Sequence, residues 1–300
     1  MKPSGLLLSF LFLLSTSVPG QIFNRSFEQA VEPNATYFTP PLGWKCENYA
    51  GIHTGPFEPN NSHSGGIKWT IPDPNNEGDY YLVLSTGDLG PDSDPLIKKA
   101  SASQRLYLPA GTRIQGEYFF GTCDYRPYYD FGEIDLIPAP CDPNNPNDPN
   151  SPCDPNAPHY SGKLTSIQLA RCSVADVGDF GSTERWISFS RTLLPREEGI
   201  YDLILRVEDG TDTIFESYLA VDDLAICGPQ TPVGDMSCDC TVNLQDLSLL
   251  SRAWLETCPT DPNIINDPNC LSVYADFSKD GKVDANDLDL FRENWLLTGL

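Results

Sequence analysis

Basic residues are scarce in this chain. It has 19 Lys and Arg against 42 Asp and Glu, a formal charge of −23, and such a surface repels nucleic acid and anionic membranes. There are only three histidines, His53, His63 and His159, all in Gly-, Asn- or Pro-rich segments. No G-x-S-x-G elbow, H-E-x-x-H pair or glycine-rich phosphate loop occurs, so the common signatures of serine hydrolases, zinc peptidases and nucleotide enzymes are missing. Long apolar runs are missing too. The most apolar stretch, Leu6 to Leu14, is nine residues, whereas a spanning helix needs about 20. With Lys2 before it and small residues after it up to Gly20, residues 1–20 read as an export signal. The expectation is a secreted or cell-surface-associated protein beginning near Gln21, with no membrane insertion.

Cysteine, by contrast, is plentiful. Ten cysteines fit an oxidising compartment. Six lie before residue 228 (Cys46, Cys123, Cys141, Cys153, Cys172, Cys227) and four after it (Cys238, Cys240, Cys258, Cys270). The even split predicts that each region closes its own bridges, with Cys141–Cys153 as one pair and Cys238 and Cys240 bonding Cys258 and Cys270 in either combination. Zinc binding by the last four is the alternative, but they lack the usual C-x-x-C pairs.

From Ile22 onward the sequence alternates and turns in a β manner. Strand-like runs rich in Val, Ile, Leu, Tyr and Phe fall at 80–86, 104–108, 113–120, 133–137, 164–174, 186–194, 201–208 and 218–227, punctuated by Gly, Pro, Asn and Asp. No long helical period precedes Asp246. The fold expected is mainly β: a jelly-roll sandwich over 21–228, a short proline-bearing linker at 229–233, and a small α-helical domain at 234–300. The stretch Cys141 to Pro158, built on repeated Asp-Pro-Asn, has no core residues and reads as a string of turns.

The last region repeats itself. Asp276, Ser278, Asp280, Asp284 and Asp287 stand at positions 1, 3, 5, 9 and 12 of a loop, with Gly281 at 6 and the Lys282 carbonyl at 7. An oxygen-donor loop of this spacing suits Ca2+. Without a gap, 41 residues upstream, the same places hold Asp235, Ser237, Asp239, Asn243 and Asp246, with Thr241 at position 7. The echo continues through Val242/Val283, Leu247/Leu288, Leu250/Phe291 and Trp254-Leu255/Trp295-Leu296, read as one apolar helix face in each copy. The region from Gly234 to Leu300 resembles a dockerin-type domain, two calcium loop–helix repeats in tandem. It departs from that pattern at Cys240, where repeat 1 should have glycine, and in a long inter-repeat segment. The resemblance implies a cohesin-like domain or a cell-surface scaffold as partner.

The larger region carries a second resemblance. NRSFEQA at Asn24 to Ala30, PLGW at Pro41 to Trp44, and SYLAVDDLAIC at Ser217 to Cys227 look like the ends of a galactose-binding-like sandwich, the fold of many carbohydrate-binding modules. That resemblance implies a structural calcium held by Glu28 and Asp222; the bland alternative is a pair of surface carboxylates.

Aromatic residues cluster in GTCDYRPYYDFGE. Tyr125, Arg126, Tyr128 and Tyr129 sit in a loop between strands, where rings can stack on sugar faces and Arg can bind hydroxyls. The competing reading is that they cover the sandwich edge. The function expected is a non-catalytic modular protein that binds polysaccharide. The rivals are a small glycan hydrolase or lyase using Glu133 and Asp135, which alternate on one strand face, and a structural surface or matrix protein.

Overall fold

The computed structural model describes residues 22–30, 39–59, 69–74, 78–87, 98–140, 164–210, 215–229, 231–237, 241–255, 275–278 and 280–297. The expected export signal, the 141–158 turns and six of the cysteines lie outside the described residues.

Alternating apolar residues and turn-forming punctuation build ten strands: β1 (Lys45–Glu47), β2 (Tyr49–His53), β3 (Tyr81–Ser85), β4 (Lys99–Leu108), β5 (Arg113–Thr122), β6 (Phe131–Pro138), β7 (Ile167–Ser173), β8 (Ile187–Thr192), β9 (Gly199–Glu208) and β10 (Ser217–Cys227). They form two five-stranded antiparallel sheets, ordered β1-β4-β9-β6-β7 and β2-β3-β10-β5-β8. All eight strand-like runs of the sequence are strands. The first two strands, β1 and β2, were not expected.

The period-2 rule sets the core. Leu203, Leu205 and Val207 of β9 and Ile134 and Leu136 of β6 face Leu219 and Val221 of β10 and Ile114 and Phe120 of β5. In β3 every residue is buried, so the outer face of its sheet is covered as well. There Tyr81, Val83, Phe119, Tyr218 and Ala220 form a second cluster under Phe57, Trp69, Ile71 and Trp186. Trp69 Nε1 donates to the Thr122 carbonyl (3.1 Å), and Trp186 Nε1 to that of Pro72 (2.9 Å). A Cβ at Gly121 would lie 2.7 Å from the Trp69 ring, so only glycine lets that ring lie flat on the strand. This lid covers the outer face of β3, β5 and β10.

The N-terminal motif is a structural knot. The Asn24 side chain accepts from Gln29 N (2.9 Å) and donates to the carbonyls of Gln29 (2.6 Å) and Leu42 (3.2 Å). This tucks Phe27, fully buried, against Trp44 with ring centroids 5.4 Å apart. Phe27→Ala is expected to destabilise the sandwich by about 3–5 kcal/mol, read as a lowered midpoint in a denaturant melt.

The short α1 (Val174–Val177) follows β7, and α2 (Leu244–Arg252) and α3 (Ala285–Glu293) form the C-terminal segment. Asn243 and Asp284 cap the two helices through their side chains, as short oxygen-bearing residues do at helix starts. Between the helices lie Met236, Val242, Leu250, Ala253, Ala275, Val283 and Phe291. The repeats interlock: Leu255 N donates to the Val283 carbonyl (3.0 Å) and Leu296 N to that of Val242 (2.8 Å). This corrects the expected helix face. Trp254-Leu255 and Trp295-Leu296 lie beyond the helix ends, and Leu255 and Leu296 have φ of 65° and 62°. The left-handed turn exposes their side chains and aims their amides at the other repeat.

Four of the six cysteines before residue 228 are described, and three of these correct the expected pairing. Cys46, Cys123 and Cys172 are not in disulfides. Cys46 on β1 and Cys172 on β7 occupy opposite edges of one sheet, about 19 Å apart at about 4.8 Å per strand. Cys123 lies in the cluster on the far side of the other sheet. Burial pushes the Cys46 thiol up to about 11 and the Cys172 thiol up to about 12, so both act as apolar packing groups. Cys227 is disulfide-bonded; its partner lies outside the described residues.

Candidate functional site

In the C-terminal segment the two loops are closed by the same bonds. Asp287 Oδ1 accepts from Ser278 N and Oδ2 from Asp284 N, both at 2.8 Å. In repeat 1, Asp246 Oδ1 accepts from Ser237 N (2.7 Å) and Oδ2 from Asn243 N (2.9 Å). Position 12 therefore gathers positions 3 and 9 in each copy, and both aspartates are fully buried. At position 1, Asp276 accepts from Asp280 N (3.1 Å), Gly281 N (2.8 Å) and Ser278 Oγ (3.2 Å). Gly281 has φ of 88°, a conformation that turns its amide toward Asp276 at no Cβ cost. Asp280 Oδ1 accepts from Lys282 N, and Asp284 Oδ1 from Asn286 N. In repeat 1, Asp235 Oδ1 accepts from Ser237 Oγ (3.3 Å) and the Thr241 carbonyl from Asn243 Nδ2 (3.4 Å); Asp239 and Cys240 lie outside the described residues. Among the described residues no three His, Cys, Asp or Glu side chains already converge as a metal cluster. The donor set is nonetheless all oxygen, and both oxygens of Asp246 and of Asp287 and the Oδ2 of Asp276 each accept a single amide bond, which leaves lone pairs that fit a hard cation such as calcium.

At one end of the sandwich, strand register brings three loops together. Ser217 pairs with Thr122, Phe131 with Glu208, and Phe131 with Ser173, so the segments 123–130 and 174–186 and the residues 209–210 and 215–216 share that end. Tyr125 packs edge-on against Tyr128 (centroids 5.3 Å apart) and lies beside Phe180 (5.5 Å) and Phe215 (6.1 Å). Tyr125, Tyr129 and Phe180 are 37%, 50% and 44% exposed. Arg126 Nε donates to Asp179 Oδ1 (2.8 Å), which also accepts from Arg126 N. That pair raises the Arg126 pKa and lowers that of Asp179, chiefly through the hydrogen bond between them. Of the four loop residues singled out in the sequence, Tyr125 and Tyr128 are in ring contact, Arg126 is paired with Asp179, and Tyr129 is half-exposed. Sequence reasoning missed Phe180, Phe215 and Asp179, which arrive from distant loops through sheet register; an aromatic flanked by Asp and Gly, as in Asp179-Phe180-Gly181, was the only local signal.

Glu28 and Asp222 present a different picture. Glu28 Oε1 accepts from Asp79 N and Tyr80 N, both at 3.1 Å. Asp222 lies opposite Glu117 in β10–β5 pairing, just before a bulge. It is 1% exposed, and its Oδ1 is buried without a hydrogen-bond partner. Burial first, then the neighbouring Asp223, Glu117 and Glu28 charges, push its carboxyl up to about 8, against one amide bond from Asp223 that lowers it. An orphaned buried carboxylate oxygen among other carboxylates is the environment a cation would relieve, so these residues fit the implied ion.

Glu133 and Asp135 face outward from β6 but are engaged by arginines. Glu133 pairs with Arg206 and, at 3.6 Å, with Arg171; Arg206 also reaches Asp135 at 3.7 Å. Burial raises the Asp135 pKa, opposed by Arg171.

Comparison with known families bears on the C-terminal segment. Residues 233–294 match the dockerin type I domain. No curated relative matches the chain. Among solved structures, TmCBM61 in complex with β-1,4-galactotriose is similar over 70% of this chain and 98% of its own, at 12% identity and a TM-score of 0.31. A carbohydrate-binding module specific for non-crystalline cellulose, CBM28, is similar over 69% and 94%, at 10% identity and a TM-score of 0.32. The K1 cleaved adhesin domain of Lys-gingipain from Porphyromonas gingivalis W83 is similar over 68% and 95%, at 13% identity and a TM-score of 0.33.

The dockerin segment lies at the end of the sandwich away from the aromatic loops, since β5 starts and β10 ends there. Two strand side chains reach it: Arg113 Nη2 donates to the Asp235 carbonyl (3.1 Å) and Gln115 Nε2 to the Met236 carbonyl (2.8 Å). Nothing in the local pattern of residues signals this contact. No described helix is long and apolar enough to cross a membrane.

Proposed function

We propose that this chain is an exported, non-catalytic protein of two functional units. In this reading the sandwich, residues 21–228, binds a polysaccharide through Tyr125, Arg126, Tyr128 and Tyr129 with Phe180 and Phe215. Across the linker at 229–233, the dockerin segment, residues 234–300, folds around one calcium ion per loop and attaches the chain to a cohesin-type domain or a surface scaffold. A third calcium ion, held by Glu28 and Asp222, clips the opening of the sandwich to its last strand.

The observation that carries the attachment half is the duplicated bonding of Asp246 and Asp287. Oxygen donors gathered this closely repel one another without a cation, which links calcium binding to folding. The glycan half is carried by the exposed rings around Tyr125. Such rings stack on the apolar C–H faces of sugars, and the Arg126–Asp179 pair can bind hydroxyls. The arginine partners of Glu133 and Asp135 argue against that pair as a free acid and base.

On a glycan array the full chain is expected to bind at least one plant or microbial polysaccharide. Tyr125→Ala should weaken that binding about tenfold, a stacking contribution of about 1.4 kcal/mol, with the β signal in circular dichroism retained. Binding to no glycan would sink the sandwich half of the proposal. Capture of a cohesin-type domain in calcium and its release by EDTA tests the other half.

A further inference from the structure

The two repeats of the dockerin segment are alike in sequence but not in access. Repeat 1 follows the linker at once, and two side chains of β5 hold its opening: Arg113 Nη2 reaches the Asp235 carbonyl and Gln115 Nε2 that of Met236. These bonds bring α2 up against the sandwich, with a cleft of about 690 Å3 between them. One wall of the cleft includes Glu117 and Ser188 of the sandwich; the other is a flank of α2, Leu244, Gln245, Ser248 and Leu249. Those four repeat at a spacing of four residues, so they lie side by side on the helix.

Leu244 is 71% exposed, but that exposure is to water. A stable interface needs roughly 800 Å2 of open surface on each partner. A cleft of this volume has the size of a small-molecule site and does not admit a folded domain. The counterparts in α3, 41 residues on, are Ala285, Asn286, Asp289 and Leu290, and none of them lines the cleft. Asn286 and Leu288 are exposed where Gln245 and Leu247 are half-buried. Charge separates the two helices as well. The exposed charged residues of α3 are Asp289, Arg292 and Glu293, whereas α2 exposes Arg252 and no carboxylate. Arg292 pairs with Asp289 at 3.3 Å, both largely exposed, and a surface pair of this kind is weak enough to exchange partners.

We infer that a cohesin-type partner docks on α3 alone and sets a basic face against Asp289 and Glu293, while the sandwich keeps α2 out of the interface. This deepens the attachment reading above and rests on it. One open face means one attached orientation. The aromatic loops, at the end of the sandwich away from the dockerin segment, then stay clear of the partner and free to meet a glycan.

The test uses the full calcium-loaded chain and a panel of cohesin-type domains whose docking faces are basic or acidic. The expected result is binding by the basic ones, with amide hydrogen exchange slowed over residues 285–293 and unchanged over 244–252. Asp289→Lys should weaken binding at least about tenfold, because like charges then meet across the interface. Ser248→Lys, the matching change in α2, should leave affinity within about twofold. Helical circular dichroism checks that each variant folds, and the exchange pattern of the unmodified chain carries the test if one does not. Equal protection of both helices, protection of α2 alone, or binding that ignores the charge of the panel would overturn the inference while leaving calcium-dependent attachment intact. Capture of no cohesin-type domain would overturn the attachment reading and this inference with it.

Discussion

Asp276→Ala is expected to cost the dockerin segment its fold even in excess calcium, and to do more damage than Asp235→Ala. Asp276 accepts from two backbone amides and one hydroxyl of its own loop. Removing the carboxylate loses those three hydrogen bonds, at about 1 kcal/mol each at this half-exposed site, and it deletes a calcium ligand as well. The total, about 3–5 kcal/mol, rivals the stability of so small a unit. Loop 2 also anchors repeat 1, because Val283 accepts the amide of Leu255; a collapsed loop 2 therefore frays both helices. Asp235 is backed by the Arg113 contact at its carbonyl, so its loop keeps a second anchor. Loss of far-ultraviolet helical signal should be near complete for Asp276→Ala and partial for Asp235→Ala. Equal losses would mean that the glycine-bearing loop is not the stronger one.

In EDTA, the sandwich is expected to lose stability as pH rises from about 4 to about 8, and calcium is expected to abolish that loss. The Asp222 carboxyl is pushed up to about 8 in the folded chain, whereas an exposed aspartate titrates near 4. Below about pH 4 both states hold the proton, and the contribution to stability is whole. Between the two values the unfolded chain gives up its proton and the folded chain does not, so stability falls with rising pH. The loss is on the order of 2–5 kcal/mol. A calcium ion on Asp222 replaces the proton and removes the dependence. Asp222→Asn, neutral at every pH, should flatten the EDTA profile and make calcium irrelevant to it. A slope that persists in Asp222→Asn would assign the effect to another group, and a slope that calcium does not change would remove the ion from this site.

The sandwich was readable in the sequence because its strands obey a local rule. Runs such as 201–208 alternate apolar and polar residues between turn formers, and burial on one face is enough to specify that. The lid over the other sheet was not readable. Trp69 and Trp186 cover β5 and β10 only because Gly121 leaves room and distant carbonyls accept their ring N–H groups. The spacing of the two C-terminal loops was visible because their oxygen-bearing positions recur at fixed sequence distances. The Trp-Leu pairs were misplaced for the converse reason: helical spacing continues through them, but the left-handed turns at Leu255 and Leu296, set by bonding to the other repeat, end the helices first. Cysteine parity misled in the same way. A count says nothing of position, and Cys46 and Cys172 lie at opposite edges of a sheet. The aromatic site was half legible: the Tyr125 loop announced itself, while Phe180 and Phe215 join it only through strand register.

The most direct test of the whole reading is calcium titration of the EDTA-stripped chain followed by native mass spectrometry and far-ultraviolet circular dichroism together. The account predicts uptake of one ion per loop, a gain in helical signal that saturates with the second of these, and loss of the loop-2 ion in Asp276→Ala. A chain that keeps its full helical signal in EDTA and takes up no calcium would contradict it.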